Sequence, residues 1–540
     1  MAAYPGRGSL GSNANNEFTL ESVEQHMQNM FAHPDNNVKQ ESNKFLMRFQ
    51  EAPEAWSIAS ALLQKQGYSQ FMAAQTLFLK CQRQWRSVPN QKQFVEGVIT
   101  VLPSCPANVK QRLALCLAVC VAQTVAKSWK SAVQDVIGAL QRANEQSAAI
   151  TVASSLPEQA EIVVHTYLKK SPTAQQCMAA FPFIVEIFST ALQSGNSDDQ
   201  LSVMTGLTNW AKIFGAPVLE HAGISNFVSS ALQHGLALQT TGVSTKEYSA
   251  ALAEMVIETL HASPDAFSIW RADGYSANKF EASAVLKALL GYLQRMAPEV
   301  HMAASQGPQE LDGVKKQVLS DIVRMVVMVA EAYSWVLIDP EGSFLVDLLG
   351  SSFKLHPQVS SSLFEFWSFV KELARESVIE QVHVNMLLDK LVEPMLSALL
   401  LYGRCDCNLF DDEERTQFRE SSADIIVDIF CLADSEPTQA NKIAAGLYNH
   451  ARSEFEKRDF VGAEAAVHLA AALADLLPGD DRPAPEGLDQ LLALLPDIPI
   501  QEIPVLPDKE RDEQPASLLV CSASRFFRGY SGRFCDACKG

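Results

Sequence analysis

Cys535 and Cys538 stand in the run Cys-Asp-Ala-Cys, the spacing at which two thiolates share one zinc ion or cycle through a disulfide. A structural zinc takes four ligands, and no second pair of cysteines or histidines lies at a comparable spacing. Cys521, Cys405 and Cys407 complete a set only through folding that joins remote segments. The reading that fits the surroundings better is the start of another helix. Gly6, Gly8 and Gly11 spell G-x-G-x-x-G, which cradles a pyrophosphate only between a strand and a helix. Here it sits in a Gly/Ser/Asn-rich tail with no strand before it, and composition accounts for it. The chain has no G-x-x-x-x-G-K-[ST], no H-E-x-x-H and no G-x-S-x-G. Its eleven histidines are scattered, none beside a cysteine or serine in a triad-like pattern. The expectation is a binding protein without catalytic residues, metal or cofactor.

The other chemistry-bearing run is Asp411, Asp412, Glu413 and Glu414, four acids in a row. Two readings stand side by side. As structure, the acids favour the amino terminus of the helix carrying Phe418 and Arg419, where the helix dipole is positive. As function, they hold a basic patch on a partner. The charge balance bears on both. Net charge is -19, and residues 1–150 hold 14 Lys/Arg against 10 Asp/Glu, while the remainder holds 29 against 52. An acidic body repels nucleic-acid phosphates and attracts basic partners. It also keeps a long helical protein soluble.

Helices must position these residues. In Tyr68 to Trp85, Phe71, Ala74, Phe78, Cys81 and Trp85 recur at steps of three and four. Thr76, Lys80 and Arg83 fall on the opposite face of that pattern. Phe94, Val98, Val101 and Leu102 form a second apolar stripe; Val109, Leu113, Cys116, Leu117 and Cys120 form a third. A helix with one apolar face cannot bury it alone, and stacking helices in antiparallel pairs is the simple remedy. The punctuation predicts helices over 20–32, 36–50, 53–66, 68–86, 90–102, 108–126 and 128–142. Pro34, Pro53, Pro89 and Pro103 mark their ends, and Pro157, Pro172, Pro340, Pro357 and Pro437 mark later ones. Sustained two-residue alternation is absent. The fold class expected is all-α, an α-solenoid superhelix of about ten or eleven helix pairs with a period of about 35–45 residues.

Eleven cysteines without a framework, several on apolar helical patterns, fit a reducing compartment. Residues 1–18 read as a disordered tail without the apolar core of a secretory signal. The strongest apolar run we identify, 322–338, is interrupted by Arg324 and Glu331, so no membrane insertion is expected.

Several landmarks resemble one family. Ala73 to Thr76 (AAQT), the LALCLAV run, Ser128 to Lys130 (SWK), His33-Pro34-Asp35 and Ala55-Trp56 resemble the amino-terminal HEAT repeats of importin-β-type nuclear transport receptors. Asn209-Trp210, Phe364 to Trp367, and the acidic run leading into Phe418-Arg419 with Asp424 and Asp428 follow in the same order. The likeness is to the transportin-SR and importin-thirteen branch, from about residue 20 onward. It implies a carrier that shuttles between cytoplasm and nucleus and binds Ran-GTP, nucleoporin Phe-Gly repeats and basic or Arg/Ser-rich protein cargo, with no direct contact to nucleic acid. It implies a Ran-binding region in the amino-terminal repeats, 19–156, then central repeats over 157–477 and a looser, truncated terminal repeat over 478–540. On the second helices of the early pairs, Lys44, Thr76, Lys80, Arg83 and Arg112 are the candidate Ran contacts, with Asp411 to Glu414 as a second, acidic contact. The competing readings are a HEAT scaffold without Ran coupling and a nonfunctional fragment.

Overall fold

The computed structural model describes residues 17–164, 170–219, 221, 223–240, 245–262, 284–307, 312–337, 339–340, 342–360, 362–375, 380–433, 437–474, 476, 485–506 and 514–530. The glycine motif at Gly6, Gly8 and Gly11 and the Cys535–Cys538 pair lie outside the described residues. Among the described residues there is no strand, and twenty-two α-helices of seven residues or more follow one another. They build an all-α solenoid of HEAT repeats. The chain divides into two compact units, 1–234 with 254–263, and 235–253 with 264–540.

The first unit opens with α1 (Leu20–Ala32), α2 (Asn36–Glu51), α3 (Ala55–Leu62), α4 (Tyr68–Gln84), α5 (Gln91–Val101) and α6 (Ala107–Thr124). It continues through α7 (Ala132–Arg142), α8 (Gln146–Val164), α9 (Pro172–Leu192) and α10 (Ser197–Phe214). Local sequence sets the starts. Thr19 and Ser22 make a reciprocal capping box on α1, Asp35 caps α2 through Asn37 N, and Asn90 caps α5 through Gln93 N. Gly215, at φ 69°, closes α10 with its N–H on Ala211 O at 2.9 Å, a left-handed position that a side chain would strain. The second helix of each pair stacks on the second helix of the next, α2 on α4, then α6, α8 and α10. The stripes at Phe94 to Leu102 and Val109 to Cys120 are buried throughout.

Helices α11 (Gly223–Thr240) and α12 (Lys246–His261) contain the division between the units. The second unit then runs α13 (Ala284–Gln306), α14 (Gly313–Ala332), α15 (Ser343–Ser352), α16 (Leu363–Arg375), α17 (Gln381–Tyr402) and α18 (Asp412–Ala433). It ends with α19 (Pro437–Glu456), α20 (Phe460–Leu473), α21 (Leu488–Leu494) and α22 (Pro515–Gly529). Here too the second helices stack, α14 on α16, then α18, α20 and α22. Trp367 in α16 is fully buried, as Trp85 and Trp210 are in the first unit. A buried side chain of this size contributes upwards of about 1.5–3 kcal/mol, so such anchors fix the seams between pairs.

Four expectations need correction. Phe18, assigned above to the tail, packs at 5.1 Å from Phe45 and 5.9 Å from Phe49, because its ring covers the end of the first core. Pro157 is no break: it lies inside α8, where a neighbouring side chain repairs the lost hydrogen bond. Among the described residues the most membrane-like helix by length and composition is α9, with a mean hydropathy of 1.2 over an 18-residue window, not 322–338. It packs on α8 and α10, burying Phe181, Ile184 and Phe188 as a core helix does. The fourth correction concerns the phase of α4.

Candidate functional site

A second helix in a stack of pairs has three neighbours: its own first helix and the second helices before and after it. Only a narrow strip remains open, so a single-face pattern misjudges what is exposed. In α4 the buried set is Gln70, Ala73, Ala74, Thr76, Leu77, Lys80 and Cys81. Thr76 and Lys80, on the side expected to face a partner, are 0% and 1% exposed. Phe71 and Phe78, expected to be core, are half-buried.

Lys80 works inward. Its Nζ donates to Ala52 O at 2.8 Å, to Glu51 O at 3.4 Å and to Gln84 Oε1 at 2.6 Å, and lies 5.7 Å from the Trp56 ring centroid. Glu51 and Ala52 end α2, so the ammonium meets carbonyls left without helical donors, at the negative end of the helix dipole. Burial lowers its pKa from the usual lysine range, partly offset by Glu54 and Glu51. The device repeats one pair later: Gln123 Nε2 of α6 donates to Cys81 O at 2.9 Å and Gln82 O at 3.1 Å, at the end of α4. In both cases a second helix closes the carboxyl end of the one before it.

Of the five amino-terminal candidates, Lys44 and Arg83 reach solvent. Arg83 pairs with Glu51 at 3.1 Å, and Arg112 is half-buried with its guanidinium 5.3 Å from the Phe78 ring centroid. Arg83 also borders a groove of about 800 Å³ formed where α4, α6 and α8 run side by side. Its lining combines Arg83 and the exposed Arg86 with Gln82, Gln84, Gln123 and Gln159 over apolar Val119, Ile162 and Val163. Gln159 is 6% exposed and its Oε1 meets no partner among the described residues; the same holds for Trp85 Nε1. Cationic rim, amide walls and an apolar floor suit an extended or acidic protein segment. The sequence reading missed Arg86, Gln123 and Gln159. A signal existed: Gln84, Gln123 and Gln159 recur at about one repeat's spacing along successive second helices.

In the second unit the acidic run begins a helix. Asp411 and Glu414 form a reciprocal cap on α18, with Glu414 N to Asp411 Oδ1 at 2.8 Å and Asp411 N to Glu414 Oε2 at 3.2 Å. Asp412 accepts from Arg415 at 2.7 Å, and Arg415 also donates to Cys407 O and Phe410 O, pinning the preceding loop. Glu413 projects into solvent. The structural reading of the run is thus realised, and the cap leaves Glu413 as the acid most open to a partner. Beside it lies a second groove of about 580 Å³, lined by Phe364, Phe410 and Phe418 with Glu365, Glu414 and Asp424. Phe410 and Phe364 stand 5.0 and 5.4 Å from Phe418. Aromatic faces ringed by carboxylates suit a cationic side chain.

No family model matches the chain. Among curated proteins it is similar to importin-13 of Bos taurus and of Homo sapiens, each 25% identical over 227 residues. The matched stretch covers 39% of this chain and 23% of each relative. Importin-13 of Pongo abelii is 26% identical over the same length. Among solved structures, importin-13 in its cytosolic state superposes with a TM-score of 0.61 at 15% identity, covering 86% of this chain and 52% of that one. The chain therefore spans about half the length of the structure it matches. These partial relatives together with the fold support a place in the importin-β superfamily.

Proposed function

We propose that this chain acts as a nuclear transport receptor of the importin-β superfamily, shuttling between cytoplasm and nucleus. Its amino-terminal second helices engage Ran-GTP, and its acidic second unit engages basic protein cargo. The observation that carries the reading is the groove across α4, α6 and α8, which offers Arg83 and Arg86 in the repeats where the resemblance expects Ran. Weak contacts with nucleoporin Phe-Gly repeats belong to the same reading. Cargo release follows from linkage: two partners that favour different states of one scaffold weaken each other by the same factor.

The test is capture of the chain on immobilised Ran loaded with GTP and, separately, with GDP. Strong preference for GTP supports the reading; equal or absent capture overturns it. Cargo that leaves on Ran-GTP binding marks import, and cargo held more tightly marks export. A scaffold without Ran coupling is the second reading, favoured by one observation: Lys80 and Thr76 are committed to the core and are not free to meet a partner.

A further inference from the structure

Three thiols converge in the core between α4 and α6. Cys81 Sγ lies 3.4 Å from Cys116 Sγ and 3.5 Å from Cys120 Sγ, all three sulfurs fall within 4.8 Å of one another, and each residue is 0% exposed. Cys116 and Cys120 are one helical turn apart, which places them on one face of α6, and α4 brings Cys81 against both. Apolar packing explains why each cysteine is buried. It does not require three sulfurs to meet.

Their spacing suits one thiophilic centre: zinc–sulfur bonds of about 2.3 Å at tetrahedral angles hold sulfurs roughly 3.8 Å apart. Charge decides which centre. Zinc on three thiolates carries net negative charge and leaves a fourth position, and among the described residues no other histidine, cysteine or carboxylate joins the cluster. Copper(I) on three thiolates is more negative still. Burying uncompensated charge among Leu113, Leu117 and Val121 is costly. Trivalent arsenic on three thiolates is neutral, and its lone pair occupies the fourth direction.

We propose that Cys81, Cys116 and Cys120 form a closed three-thiol site for trivalent arsenic, taken up as arsenious acid. Three S–H bonds and three As–OH bonds break, three As–S bonds form, and three waters leave; no electrons are transferred. The product staples α4 to α6. Gln123 already ties α6 to the carbonyls of Cys81 and Gln82, and Gln82 and Gln123 line the amino-terminal groove, so the staple stiffens that groove. Because the sulfurs are buried, uptake proceeds through local opening and is slow.

The full reduced chain is incubated with sodium arsenite and followed by native mass spectrometry and thermal unfolding. The expected result is one adduct per chain, with the mass of one arsenic less three hydrogens, and a raised Tm. Cys81→Ala, Cys116→Ala and Cys120→Ala each weaken binding by about tenfold or more, the scale at which even groups behind a ligand are felt. Cys177→Ala, which removes a buried cysteine outside the cluster, leaves the adduct intact. Far-UV circular dichroism checks each fold, and if one variant fails to fold the other two carry the test. No three-thiol adduct on the unaltered chain, or an adduct that persists in the folded single variants, overturns the proposal.

Discussion

The indole Nε1 of Trp210 donates at 3.0 Å to the carbonyl of Ala153, the acceptor that Pro157 leaves without a helical donor one turn later. A proline inside a helix removes the N–H that would bond four residues back. Here α10 supplies the missing donor to α8, so proline and tryptophan form one unit across two repeats. Trp210→Phe keeps most of the ring packing against Phe181 and Phe214 but orphans the carbonyl, at a cost of about 1–3 kcal/mol. In a Pro157→Ala background the same change costs less, because the alanine brings back a backbone N–H and with it the helical bond. A double-mutant cycle by urea unfolding, read by far-UV circular dichroism, should show this coupling; additive effects would refute it.

That pair also marks what could be read beforehand. The spans of α1, α2, α4 and α5 were legible because Pro34, Pro53, Pro89 and Pro103 punctuate the apolar helical patterns. The phase of α4 was not. A periodic pattern reports one apolar face, whereas contacts on three sides bury Thr76 and Lys80 along with Ala74 and Cys81. Lysine at position 80 looked like surface chemistry because its type is usually exposed. Only the stacking of α2 on α4 shows that it closes a helix end. Pro157 misled for the same reason: its compensation comes from a residue far along the chain. In the second unit the acidic run was legible as a helix start because a cap needs only local residues. The groove with Phe364 and Asp424 was not, because it needs α16 against α18.

Arg419 and Glu464 form the most buried ion pair described, at 2.6 and 2.8 Å, with Glu464 0% exposed. Arg419 also donates to Gly403 O, and Ser522 Oγ donates to Glu464 at 2.9 Å, so the pair joins α18, α20, α22 and the loop before the acidic run. Arg419→Met strands a buried carboxylate and should cost about 3–5 kcal/mol, whereas Arg419→Met with Glu464→Met should cost clearly less. Chemical unfolding of the single and double variants checks this. A double variant as unstable as the single one would contradict it.

His468, beside that pair, sets a pH dependence. Burial first, then Arg419 and Arg525, lower its pKa to about 4 against an ordinary 6.5, while Glu464 and the Arg419 carbonyl pull the other way. A histidine with a depressed folded pKa keeps the folded state from taking up the proton that the unfolded chain accepts. Its contribution is complete above pH 6.5 and is lost as pH falls toward 4. Glu331 opposes it: burial, then Glu365, raise its pKa to about 6, so its neutral form stabilises the fold at low pH and this is lost as pH rises. The difference isolates the histidine. The Tm advantage of the unaltered chain over His468→Gln should shrink from pH 6.5 to pH 4, and a constant difference would remove His468 as the cause.

The two candidate surfaces carry opposite charge, so partners distinguish them. Arg83 and Arg86 are exposed, and the Arg83–Glu51 pair at 3.1 Å is of the solvent-screened kind that adds little to stability. Arg83→Glu with Arg86→Glu should leave Tm near that of the unaltered chain and weaken Ran-GTP binding, mainly by slowing association, with the loss largest at low salt. Glu413→Lys should likewise leave Tm unchanged, because the cap uses Asp411 and Glu414, and should weaken a basic peptide instead. Asp411→Ala separates structure from recognition: it removes the cap and should lower stability by about 0.5–2 kcal/mol. Surface-plasmon titrations of Ran-GTP and of an Arg/Ser-rich peptide at two salt concentrations read all three variants. If the arginine pair weakens the peptide and spares Ran-GTP, the assignment of partners to the two units is reversed.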